Sequence, residues 1–166
     1  DAAFMTQMEK NADIVVMNCY APMFVNVNPG ARQWRPNLIG YDGLRVYGSP
    51  SYYAIKMFST HLGDQILKTT AADTDLLVSA TRDSRAGRIH LKLVNPSEAA
   101  SPVQLDLTGV RTVSPTATAV TLAAPPQATN SIDAPQAVAP VTSRVSGVKS
   151  GFTYTVPAHA IVVLTL

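Results

Sequence analysis

The sequence predicts a mainly β protein, with short strands at sandwich-like spacing headed by a single strand-to-helix unit. Two observations carry that class. After Gly63 the apolar pattern changes from helical to period two, in segments separated by Pro, Ser, Thr and Gly. Before it, "IVVMNCYAPMFVNV" (14–27) is apolar without alternation, as in a strand covered on both faces, and a helix opened by Ser-Pro follows.

In chain order, "DAAFMTQMEKNAD" places Phe4, Met5, Met8 and Ala12 at helical spacing, with Glu9 on the polar face. No capping residue precedes this helix, so the natural chain is expected to extend upstream. The apolar run 14–27 reads as a buried strand, which makes Cys19 a buried thiol. "NPGARQWRPN" is a loop by its Asn-Pro-Gly and Pro signals, and "NLIGYDG" continues the strand or forms a second one. Ser49 then caps a helix with Pro50 in its first turn. Ala54, Ile55, Phe58 and Leu62 form its apolar stripe, and Gly63 stands at a left-handed C-cap position.

"LLVSATRD" and "RIHLKLVNP" flank an Asp-Ser-Gly turn and predict a hairpin, with Ile89, Leu91 and Leu93 alternating against His90 and Lys92. "PVQLDL", "TATAVTL", "PVTSRVSGV", "GFTYTVP" and "AIVVLTL" complete about seven or eight strands. Ala123–Pro140 is a proline-interrupted loop. The first 63 residues cannot close a core alone, so they read as the last unit of a barrel or layered α/β domain.

Composition excludes several functions. Thirteen basic residues face eleven acidic ones, five against four in residues 1–63 and eight against seven beyond, so no basic face drives nucleic-acid binding. No apolar run reaches the roughly 20 residues of a membrane-spanning helix. The single Cys19 forms no internal disulfide, and His61, His90 and His159 lack metal-ligand spacing. No metal and no cofactor is expected.

Taken together, "DAAFMTQMEKNADIVVMNCYAPMFVNV", "QWRPNLIGYDGLRVYGSPSYYAIKMFS", "NPSEAASPVQLDL", "NSIDAPQAVAP" and "FTYTVPAHAIVVLTL" resemble, in order and spacing, the C-terminal region of family 51 α-L-arabinofuranosidases. The resemblance implies a jelly-roll-like β-sandwich over residues 64–166. It implies that residues 1–63 end a (β/α)8 catalytic barrel, with helix seven, strand eight and helix eight. Such retaining glycosidases use two catalytic Glu at the ends of barrel strands four and seven, both upstream of Asp1. Their carboxyl groups must stand about 5–5.5 Å apart. This chain holds only Glu9 and Glu98, with Asp42 the one acid near a barrel mouth, so it is expected to be inactive alone.

What the resemblance leaves here is a rim after strand eight. Trp34, Asn28, Asn26 and Gln33 are the expected substrate-binding residues, with Asp42 and Tyr47 further out. Trp34 would cover an apolar face of a sugar, whereas loop Asn residues also commonly satisfy turn backbone. The Tyr52–Tyr53 pair reads as helix packing. The implied partners are an arabinofuranosyl-containing saccharide, the upstream catalytic barrel and, left open, a second copy in a homo-oligomer. The alternative is a non-catalytic carbohydrate-binding or scaffold sandwich. Against it, only Phe152 and Tyr154 of eleven aromatic residues lie beyond residue 63, on one face with Val156, as in a core.

Overall fold

The computed structural model describes residues 1–34, 37–72 and 74–166. Part of the expected 28–37 loop, Arg35 and Pro36, lies outside the described residues. Among the described residues eight strands follow Gly63, against the seven or eight expected: β4 (Gln65–Leu67), which lies in none of the segments read as strands, β5 (Leu77–Asp83), β6 (Arg88–Asn95), β7 (Ser101–Asp106), β8 (Thr116–Ala123), β9 (Val141–Ser146), β10 (Gly151–Val156) and β11 (Ala160–Thr165). Six of them form an antiparallel sheet in the order β4-β5-β6-β11-β8-β9, and β10 pairs with β7 on the opposite side. Leu91, Leu93, Ala119, Val162 and Leu164 of the large sheet meet Leu105, Phe152 and Val156 of the small one in the main core. Phe152 and Tyr154 therefore belong to the sandwich interior. Asn95 ties the two sheets at one edge: its Nδ2 donates to the carbonyls of Ala99 and Pro157, each at 2.9 Å.

The large sheet is covered on its second face as well. Helix α1 (Ala2–Lys10) and helix α2 (Pro50–Ser59) lie across it, making a layer of Ala2, Met5, Ala54, Phe58 and Val94. A neighbouring layer joins Met57 to Leu122, Val138 and Val163. β11 is thus enclosed on both faces, and its "IVVL" run shows no alternation because neither face meets water. Ser49 caps α2 as expected, accepting from the Tyr52 N–H at 3.2 Å, with Pro50 following it. Tyr52 and Tyr53 pack edge to face at 5.3 Å.

Several expectations change here. Glu9 does not lie on a polar face: α1 buries Ala2, Met5 and Thr6 with Glu9 beside them, and turns Phe4 outward. His90 and Lys92, the polar alternates of β6, are covered because the helices lie on that face of the sheet. Lys92 is fully buried. Its ammonium pairs with Glu9, lies 3.4 Å from the Thr81 hydroxyl and 5.6 Å from the centre of the Phe58 ring. Ser79 donates to the other Glu9 oxygen at 2.6 Å. Leu62 is exposed beyond the end of α2. Gly63 is not a left-handed cap, since Thr60 ends the helix in right-handed geometry. A Cβ at Gly63 would lie 2.4 Å from the Arg82 carbonyl, so close passage of β5 requires glycine there.

The 14–27 run also departs from expectation. Only β1 (Phe24–Asn26) is a strand, and Ile14, Val16, Met17 and Cys19 are exposed. Burial of this segment needs a covering element, and none of the elements described here covers it.

Removing one partner of a buried ion pair leaves an uncompensated charge. Glu9→Leu or Lys92→Met should each cost about 3–5 kcal/mol, and the two substitutions together should recover most of that loss. Denaturant unfolding of the four proteins measures this cycle.

His90 makes a second prediction. Burial, then the nearby His61 and Lys92, hold its imidazole below the usual histidine range. A histidine with a depressed folded pKa binds fewer protons folded than unfolded. The stability it contributes is therefore present above the unfolded value of about 6.5 and is lost as pH falls through the folded one. His90→Gln should give a shallower fall in Tm on acidification below about pH 6.5.

Candidate functional site

The residues expected at the rim lie in and after the first strand of a small three-stranded sheet. β1 pairs in parallel with β2 (Ile39–Tyr41), which pairs antiparallel with β3 (Val46–Gly48). "NLIGYDG" is thus a second strand rather than a continuation. Asn26, the last residue of β1, stands opposite Tyr41, and the Val27 N–H donates to the Tyr41 carbonyl at 2.9 Å. β1 therefore delivers the chain into the loop at a defined position.

That loop begins with two linked turns. The Asn26 side-chain oxygen accepts from the Asn28 N–H at 3.0 Å. The Ala31 N–H donates to the Asn28 carbonyl at 3.1 Å, with Gly30 at φ +78°. Pro29 followed by a left-handed glycine is the chemistry of a type II turn. Asn26 thus meets the structural demand of its own loop, the second of the two roles loop Asn residues play. The Asn28 side chain is exposed.

Beyond the turn, the Arg32 guanidinium carbon lies 4.5 Å from the centre of the Trp34 ring. Asn37 Nδ2 donates to the Trp34 carbonyl at 3.1 Å. Trp34 remains 53% exposed, and Gln33 beside it is exposed. The structure brings Asn26 and Asn28 into one turn, and Arg32, Trp34 and Asn37 into a second group. Arg32 and Asn37 were not singled out from the sequence. The one available signal was an arginine two residues from the single tryptophan.

Asp42 closes the β2–β3 turn. Its carboxylate accepts from the N–H groups of Leu44 (2.8 Å) and Arg45 (2.7 Å), and from Arg45 Nε at 2.9 Å. These two backbone donors, then Arg45, hold its pKa below the usual aspartate range. An acid so stabilised as the anion is a poor proton donor near neutrality. Glu9 is engaged by Lys92 and Ser79, and Glu98 is exposed in the turn after β6. Among the described residues, no cluster of three or more His, Cys, Asp or Glu could hold a metal ion.

Residues 1–160 match the family model described as the α-L-arabinofuranosidase C-terminal domain. The chain belongs to that family. It is 33% identical over 168 residues to α-L-arabinofuranosidase 1 of Arabidopsis thaliana, covering 96% of this chain and 24% of that protein. It is 34% identical over 171 residues to α-L-arabinofuranosidase A of Aspergillus niger, covering 99% and 26%. An arabinose-bound GH51 α-L-arabinofuranosidase superposes with a TM-score of 0.92 at 40% identity, over 99% of this chain and 26% of that one. The Thermotoga maritima α-L-arabinofuranosidase in its arabinose complex shares the fold, with a TM-score of 0.83 at 18% identity. The sandwich is therefore that of the GH51 C-terminal region, and the chain spans about a quarter of the length of the curated relatives it matches.

Because Trp34 is exposed and its ring contact is an arginine rather than a core residue, Trp34→Ala should change stability by no more than about 0.5 kcal/mol. Leu91→Ala, in the main core, should cost about 2–5 kcal/mol. Thermal unfolding of both variants tests whether Trp34 pins the loop.

Proposed function

We propose that this chain is the C-terminal part of a retaining α-L-arabinofuranosidase that hydrolyses terminal non-reducing α-L-arabinofuranosyl residues of polysaccharides and oligosaccharides. The observation that carries the reading is the superposition, at 40% identity, on an arabinose-bound enzyme of this activity. On this reading residues 1–63 end the catalytic barrel and residues 64–166 form the sandwich. The exposed apolar residues Ile14, Val16, Met17, Met23 and Phe24 support an upstream barrel as the element that covers them.

The acid/base and nucleophile then come from upstream. Glu9 is committed to Lys92, and Asp42 is stabilised as an anion by its turn. This chain's contribution is to bind and orient the sugar. Trp34 offers an apolar face, Asn28 and Gln33 offer hydrogen bonds, and Asn26 shapes the turn that presents them. Stacking of this kind contributes about 1–2 kcal/mol.

The intact protein should release arabinose from an aryl α-L-arabinofuranoside, and the 166-residue chain alone should not. In the intact protein, Trp34→Ala should lower kcat/KM roughly tenfold. An inactive intact protein would overturn the reading. Unchanged kcat/KM in Trp34→Ala would remove that residue from the site.

A further inference from the structure

The long loop between β8 and β9 is not a passive connection. Asn130, 3% exposed, closes it on itself: Oδ1 accepts from the Val138 N–H at 2.7 Å, and Nδ2 donates back to the Val138 carbonyl at 2.8 Å. Val138 is buried against Met57, Leu122 and Val163, so the closing point is seated between α2 and the large sheet. The same Asn130 Nδ2 also donates to the Gly48 carbonyl at 2.8 Å. Gly48 is the last residue of β3, immediately before the Ser49 cap of α2.

The loop touches the other end of β3 too. Asp133 Oδ1 lies 3.1 Å from Arg45 Nη1, and Arg45 also holds Asp42 at 2.8 Å. One loop of the sandwich therefore holds the last residue of the edge strand β3 and the residue just before that strand. The Asp133 contact is exposed and weak by itself. The Asn130 contact is partly buried, with the Asn130 side chain itself enclosed, and losing it leaves the Gly48 carbonyl without that donor. From β3 the pairing register reaches the candidate sugar contacts: Gly48 stands opposite Ile39, which stands opposite Phe24, and Val46 leads through Tyr41 to Asn26.

We propose that Asn130 is a positioning residue: from the β-sandwich it clamps β3, and through the three-stranded sheet it sets where the Asn26–Trp34 loop stands for saccharide binding. This rests on the arabinofuranosidase reading above. It assigns the sandwich a part in substrate recognition that involves no contact with the sugar.

The test uses the intact protein, an aryl α-L-arabinofuranoside and amide hydrogen exchange. Asn130→Ala should raise KM about fivefold with kcat changed less than about twofold. It should also speed exchange across residues 22–48. Asn130→Asp keeps the acceptor for the Val138 N–H but loses both amide donations, to the Val138 and Gly48 carbonyls, and should behave like Asn130→Ala. Asp133→Ala leaves the loop closure intact and should raise KM about twofold with Tm unchanged. It keeps the test open if the Asn130 variants fold poorly. A lowered Tm with wild-type KM and unchanged exchange over residues 22–48 would overturn the clamp. So would Asn130→Asp with wild-type KM. If the unmodified protein does not cleave the substrate, the functional reading fails, while exchange over residues 22–48 still decides whether the clamp exists.

Discussion

The pairing of Glu9 with Lys92 is the constraint on which the arrangement of layers depends. A lysine in the second strand of a hairpin would ordinarily point its ammonium into water. Here it stands beneath two helices, fully buried, and the carboxylate that compensates it comes from the first of them. Burial of a lone ammonium carries a penalty of several kcal/mol, so α1 cannot slide or turn on the sheet without exposing that cost. Ser79 and Thr81, neighbours on β5, complete the polar cluster. The surrounding apolar layer of Ala2, Met5, Phe58 and Val94 supplies non-directional attraction. The ion pair supplies register.

Two covered faces follow from that docking. The large sheet meets the β7–β10 pair on one side and the helices on the other, so the helices at the start of the chain are layers of the same body as the sandwich. The strands differ accordingly. β11, central and enclosed, consists of apolar residues on both faces, whereas β9 at the edge is almost wholly exposed and polar. Edge strands of that composition resist pairing with other chains.

The small sheet is attached differently. Its three strands hold together by backbone pairing. Its link to the sandwich runs through α2, the β8–β9 loop and the Arg45 pair, rather than through a broad apolar face. Phe24 of β1, Leu44 of the β2–β3 turn, and Val16 and Met17 of the segment before β1 are exposed. A sheet held along one edge is suited to present a loop, because small shifts at β3 are carried through two registers to Asn26.

Wherever local chemistry suffices, the sequence by itself determined the element. Ser49-Pro50 starts a helix because a hydroxyl acceptor and a missing N–H suit a helix terminus in any surroundings. Period-two alternation located β5 to β8 and β10 because one face of each strand packs into the apolar sandwich core and the other carries polar residues. Asn28-Pro29-Gly30 forms its turn because only glycine tolerates the left-handed position easily. The family was legible for the same reason, since these signals recur in a fixed order. Tertiary structure alone decided which polar residues are inside. Glu9, His90 and Lys92 occupy positions that periodicity marks as solvent-facing, and only the docking of α1 and α2 reverses that. Gly63 is likewise explained by the passage of β5 rather than by its own helix. Asn130 is one asparagine among loop residues until Gly48 is brought beside it from 82 positions away. Periodicity reports which face of an element differs from the other. What covers that face depends on segments distant in the chain, and so does the part each residue takes at the candidate site.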